Sequence, residues 1–187
     1  MITLKEEKEK TLALIEELNP DSPFLTDDPD IAAKINYVFN QVMFELCRHK
    51  KLPRFVAMPV AEGTVVTFAD IEKVCGYEVY QVAKVEGVRY DTKADGTVFK
   101  MLETGTAEMD VYVFPERITK DTQDSYEFEL SPDVLEIMPY GVAADLLKSD
   151  VSAEYGSVYE RRYRDMVDRL DPRYSLPTVT FEGGVDV

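Results

Sequence analysis

Apolar positions recur at helical spacing near both ends of the chain and at strand spacing through its middle. Leu12, Ile15 and Leu18, with Thr11 beside them, fall three or four residues apart and predict a helix over residues 4–18. Thr3 followed three residues later by Glu6 is a capping-box start, and Asn19-Pro20-Asp21 is the stop. A second helix begins at Asp28-Pro29, a cap followed by a proline that fits the first turn. It extends to residue 47 or 48. Ile31, Ile35, Val38, Phe39, Val42, Phe44 and Leu46 give it a wide apolar face. Asp28 and Asp30 at its start and Arg48, Lys50 and Lys51 at its end suit the helix dipole.

From residue 54 to 130 the period changes to two. Val, Tyr, Phe and Thr become frequent, with Gly and Asp between the runs. The pattern predicts strands over 55–58, 64–68, 77–85, 88–91, 97–102, 109–114 and 126–130. A short helix is expected over 69–74. Asp95-Gly96 reads as a two-residue hairpin turn, because glycine takes the positive φ of a primed turn. In the last run Tyr126, Phe128 and Leu130 alternate with Glu127 and Glu129, which leaves one wet face.

Helical spacing then returns. Ser131-Pro132 starts a helix over 133–148, with Val134, Leu135, Met138, Val142, Leu146 and Leu147 inward and Pro139 expected to kink or restart it. A last helix covers 153–170, where Tyr155, Val158, Tyr159, Tyr163, Met166, Val167 and Leu170 share a face; Asp171-Pro172 ends it. Residues 173–187 hold Gly183-Gly184 and a strand-like patch at Thr178-Val179-Thr180-Phe181, of the kind that adds to a partner's sheet edge. The fold class expected is α+β. A helical bundle forms from both chain ends (1–52 and 131–172), a mainly antiparallel β-domain is inserted at 53–130, and an extended C-terminal tail follows at 173–187.

Composition narrows the function. The 187 residues carry a formal net charge of -15, which repels nucleic-acid phosphate and anionic lipid. No apolar run approaches the roughly 20 residues of a membrane helix, and the charged N-terminus is unlike a signal peptide. A cytoplasmic origin is expected, with Cys47 and Cys75 as free, half-buried thiols.

Candidate chemistry is sparse. His49, the one histidine, sits in a cationic run at a helix end without a Ser or Cys partner in sequence. One histidine and two separated cysteines make no zinc site. Asp27, Asp28 and Asp30 read as capping residues. The run from Asp91 to Gly96 has the outline of a calcium loop but lacks the third-position ligand and the twelfth-position Glu. Phosphate-loop, dinucleotide and nucleophile-elbow motifs are absent from the sequence. These observations favour a non-enzymatic protein with no cofactor and no metal. The densest basic spot is Glu160-Arg161-Arg162-Tyr163-Arg164. Its plain reading is a solvated helix face with ion pairs between turns. Its functional reading is a subunit contact, since Arg and Tyr are enriched at interface hot spots.

Two stretches carry a resemblance. One is Asp28-Pro29-Asp30-Ile31-Ala32 with Ile35-Asn36 and Phe39-Asn40-Gln41. The other runs from Leu135 through Met138-Pro139-Tyr140-Gly141-Val142-Ala143-Ala144-Asp145 to Asp150, followed by Tyr155, Tyr159-Glu160-Arg161-Arg162-Tyr163 and Leu170. In this order, and in the succession of helices, inserted sheet, helices and tail, the chain resembles the head-to-tail connector (adaptor) proteins of tailed bacteriophages. The resemblance implies a virion neck protein made in the bacterial host cytoplasm. Such a protein docks as a ring, expected to be a dodecamer, beneath the portal. It joins capsid to tail and lines part of the DNA channel, with DNA present only as channel contents. Its partners would be the portal protein, neighbouring copies of itself, and tail or neck proteins, with no membrane. Interaction residues are then expected at Arg161, Arg162, Tyr163 and Arg164, and in the tail at Tyr174, Val179 and Phe181. Two other readings stand beside this one: a neck or tail completion protein (gatekeeper or tail terminator), and a small ligand-binding protein or hydrolase with its site in the β-domain.

Overall fold

The computed structural model describes residues 2–148 and 153–170. Helix α1 spans Leu4–Leu14. The Thr3 amide donates to Glu6 Oε2 at 2.8 Å and the Glu6 amide returns to Thr3 Oγ1 at 3.3 Å, which satisfies two orphan donors. The helix stops a turn before residue 18. Glu16 takes φ 62°, and the Glu17 amide bonds back to the Leu12 carbonyl at 2.9 Å. Ile15 and Leu18 thus meet the core from the turn beyond the helix. Helix α2 spans Pro29–His49; Asp28 caps it by accepting from the amides of Asp30 (2.7 Å) and Ile31 (3.1 Å). Its buried stripe is Ile35, Val38, Phe39, Val42, Met43, Leu46 and Cys47. Ile31 and Phe44 are only partly buried.

Two three-stranded antiparallel sheets follow. The first has the order β1-β6-β3, from Leu52–Val60, Gly105–Val113 and Val79–Glu86; the second has the order β2-β5-β4, from Val65–Thr67, Val98–Met101 and Tyr90–Lys93. Helix α3, Phe68–Cys75, sends Ile71 between them. The hairpin expected at Asp95-Gly96 forms, but a single helical turn, α4 (Ala94–Thr97), joins β4 to β5 in place of a two-residue turn. Gly96 supplies the positive φ, 79°. The strand expected over 126–130 does not join a sheet. It makes an isolated bridge, Glu127 with Thr3, while Phe128 and Leu130 point into the helical core. The alternation was real, but its partner is the segment ahead of α1.

Helix α5, Pro132–Leu147, is the most enclosed element, and ten of its residues are buried, Ile137, Pro139, Gly141, Ala143 and Ala144 among them. It runs without a restart through Pro139. Helix α6 spans Ala153–Leu170. One buried cluster combines residues of α1, α2, α5 and α6 with Phe114, Ile118, Phe128 and Leu130; a second lies wholly within residues 56–113. Tyr80 and Phe114 join the two. Their rings lie 4.7 Å apart, Phe44 stacks on Phe114 at 4.8 Å, and the Tyr80 hydroxyl donates to the Cys47 carbonyl at 2.9 Å. Cys47 is buried, its thiol pushed up to about 12 by that burial; Cys75 is free and partly exposed.

Gly141 sets how closely three helices approach. A Cβ there would lie 2.7 Å from Tyr163 Cε2 of α6 and 2.8 Å from Val42 Cγ1 of α2. Gly141→Ala gains about 1 kcal/mol of helix propensity but overpacks two elements, at a cost of about 1–3 kcal/mol. Urea unfolding should show a net loss, and a variant more stable than the parent would refute this packing account.

Glu7 of α1 is fully buried. Its Oε1 accepts from Lys10 Nζ at 2.6 Å, and its Oε2 is buried without a partner. Burial raises the Glu7 carboxyl above its ordinary 4.5, against the pull of Lys10. A raised carboxyl holds its proton more tightly in the folded chain, so its contribution is present below pH 4.5 and lost as pH climbs through the raised value. The stability of the parent relative to Glu7→Gln should therefore fall with rising pH above 4.5. A pH-independent difference in paired urea curves would contradict this.

Candidate interaction surface

The cationic run lies on α6, and the packing of that helix decides which of its residues are available. Gly156, Tyr163 and Val167 are buried, with Tyr159, Met166 and Leu170 partly so. They form the inward stripe against α5 and α2. A Cβ on Gly156 would lie 3.2 Å from Leu147 Cβ, so α6 comes close to the end of α5 there. The Tyr159 hydroxyl donates to the Leu14 carbonyl and ties α6 to the end of α1.

Tyr155 and Val158 do not share this stripe. They are 70% and 62% exposed, although helical spacing alone had grouped them with the core residues. Arg161, Arg162 and Arg164 are exposed as well. Arg162 stacks its guanidinium 4.4 Å over the Tyr140 ring, and Arg164 pairs with Glu160 one turn back. Arg161 forms no salt bridge among the described residues. Tyr163, expected to act with these arginines, is instead a core residue, 7% exposed between α5 and α2. Its hydroxyl is buried without a hydrogen-bond partner. Burial pushes its phenol up, and the nearby Glu45 carboxylate raises it further without a hydrogen bond of good geometry. Tyr174, Val179 and Phe181 lie outside the described residues.

The other sequence candidates have structural occupations. His49 is exposed at the end of α2. Asp28 caps that helix, and Asp27 accepts from Asn19 Nδ2 at 2.7 Å. No group of three or more His, Cys, Asp or Glu among the described residues could hold a metal ion. No helix among them is long and apolar enough to cross a membrane. A cavity of about 280 Å³ between the 19–28 loop, α2 and the 118–124 segment is lined by Phe24, Ile35 and Asn36, with Lys120 and the Lys8–Asp124 ion pair (3.1 Å) at its margin. Thr122 also lines it, with its hydroxyl oxygen accepting from the Thr119 amide at 2.9 Å.

Two features escaped the sequence reading. One is the pair Asn40 and Asn36 on α2. Asn40 donates to the Ile118 carbonyl at 2.7 Å and accepts from its amide at 2.8 Å, and Asn36 donates to the Thr119 carbonyl at 3.1 Å. Polar residues four apart at the edge of an apolar stripe were the available signal. The other is the outward face of the first sheet, where Phe55 is 65% exposed; Pro53 and Pro59 around it could have marked β1 as an edge strand. The chain matches no family model and no curated protein.

Since the Tyr163 hydroxyl is buried and unpartnered, Tyr163→Phe removes a desolvation cost and keeps the ring. Thermal and urea unfolding should show stability unchanged or higher by up to about 1 kcal/mol. A loss of 1 kcal/mol or more would mean that the hydroxyl has a partner in solution.

Proposed function

We propose that this chain is a structural assembly subunit, a head-tail connector that docks as a ring on a phage portal and joins capsid to tail. The observation that carries the reading is the outward side of α6. There Tyr155 and Val158 stay exposed beside Arg161 and Arg162, while the opposite side of the same helix is used up by the core. Exposed aromatic, aliphatic and Arg side chains on one rigid helix have the composition of an interface centre. The resemblance of the helix order and of the stretch from Leu135 to Asp150 to connector proteins supplies the class of partner. In this reading the helices from both chain ends work as one bundle, the β-region is an insertion upon it, and Tyr174, Val179 and Phe181 of the tail add a further contact. The net charge of -15 suits a subunit that surrounds DNA without gripping it.

The test is co-sedimentation of the purified chain with portal rings encoded by the same genome, at two salt concentrations. Saturable binding at one copy per portal subunit is expected, weakened by Tyr155→Ala with Val158→Ala. Binding to tail-tube protein instead of portal would move the subunit to the neck or tail completion role. Binding to neither would overturn the assembly reading.

A further inference from the structure

The first sheet has two faces of different character. Its inner face, with Val56, Met109, Val111 and Val113, is buried in the second core. On the outer face the central strand β6 carries Glu108 and Asp110, both exposed and neither in a salt bridge among the described residues. Glu108 stands opposite Glu86 of β3 on one side and Ala57 of β1 on the other; Asp110 stands opposite Lys84 and Phe55. Like charges directly opposite one another destabilise an antiparallel pair; Lys84 forms its salt bridge with Glu86 at 2.8 Å and also feels Asp110 opposite it, one cation among three carboxylates. An acidic row beside an exposed Phe is an unfavourable surface for an isolated molecule and a favourable one under a cationic, apolar partner.

The partner must arrive on the face and not along the edge. Pro53 and Pro59 share the pleat parity of Phe55, and all nine residues of β1 are in register with β6. Prolines are tolerated in a paired strand where the missing N–H faces the free edge. That edge can therefore offer few donors to a further strand.

We infer that the outer face of the β1-β6-β3 sheet receives α6 of a second copy of this chain. This inference deepens the assembly reading and rests on it for the copy-to-copy contact. Tyr155, Val158, Arg162 and Arg169 follow one another at three, four and seven residues. At about 100° per residue they fall within about 60° of arc, with Asp165 bordering the stripe about 20° beyond Val158. The four are exposed. The stripe is apolar at one end and cationic along the rest, complementary to Phe55 beside Asp110 and Glu108. Arg162 and Arg169 are separated by about 10.5 Å along the helix axis and Glu108 and Asp110 by about 7 Å along their strand, a difference that two long arginine side chains span. Helix α6 packs on α5 and α2, and the sheet on its own core, so one copy offers the two surfaces on different elements. A contact of this kind is heterologous, and it closes into a ring when the rotation between copies permits.

The test uses the full chain in sedimentation velocity over a concentration series, with circular dichroism to verify folding. The parent should self-associate. R162E/R169E and E108K/D110K, all at exposed positions, should each weaken association roughly tenfold or more. An equimolar mixture of the two variants should restore it, because each reversed helix then meets a reversed sheet and each unreversed helix an unreversed sheet. A parent that stays monomeric at every concentration, variants that associate like the parent, or a mixture that fails to recover would each overturn the inference. Portal co-sedimentation read on the same samples separates the two claims. Portal binding with unaltered self-association in the variants removes this counter-surface and leaves the connector reading standing; restored association without portal binding does the reverse.

Discussion

The enclosure of α5 is the constraint on which the rest of the structure depends. A helix that is apolar over most of its surface can face water on little of it; on α5 Pro132, Asp133 and Glu136 are exposed, and α1, α2 and α6 each cover part of the rest. Helices α1 and α2 thus pack back against α5 from the far side of the β-region in sequence. Gly141 lets Val42 and Tyr163 each pack close against the backbone of α5. Pro139 sits within this packing, buried like its neighbours. The missing Pro139 N–H removes one bond to the preceding turn, yet burial on several sides holds the helix through that gap, whereas an exposed helix with the same proline has no such support.

The junction between the two cores follows from that requirement. Residues 114–130 have no helix or sheet of their own, so their backbone groups need partners from elsewhere. Asn40 and Asn36 supply three bonds from α2 to Ile118 and Thr119, and the residues ahead of α1 supply the bridge to Glu127. Arg54 of β1 reaches Glu129 at 2.7 Å while lying 4.7 Å over the Tyr77 ring, and Tyr77 donates to the same carboxylate at 3.1 Å. Together with the Phe44–Phe114–Tyr80 stack, these contacts fix the β-region against the helices through side chains from both.

Local order was largely legible in the sequence, because caps and periodicity are local. Asp28-Pro29, Ser131-Pro132 and Thr3 with Glu6 start helices where they were expected, and six of the seven expected strands pair in antiparallel sheets. The failures are matters of partnership. The alternation at 126–130 fixed which side chains turn inward but could not say that the backbone partner would be Thr3. The spacing of α6 grouped Tyr155 and Val158 with Tyr163, because an apolar residue at helical spacing looks the same whether α5 covers it or runs out beside it. Tyr163 drew attention through its arginine neighbours, and only the packing of α5 assigns it to the core.

Charge carries the remaining argument. With 36 acidic and 21 basic residues, copies of this chain repel one another over distances longer than the screening length, and salt reduces that repulsion. Contacts at closest approach obey a different rule, since there the arrangement of a few groups outweighs the total. Most cations are already engaged within the chain, as Lys8 is with Asp124, Arg54 with Glu129, Arg89 with Glu103 and Arg117 with Glu78. Arg161, Arg162 and Arg169 of α6 are exposed and form no salt bridge among the described residues, as is true of Lys93 and Lys120 elsewhere, so α6 carries the densest group of cations open to an acidic copy. In the proposed ring each such contact would gain from becoming intramolecular. Long-range repulsion then raises the concentration at which free copies associate and does not forbid it. The repulsion that keeps free copies apart and the short-range match that orders them can then reside in one sequence without conflict.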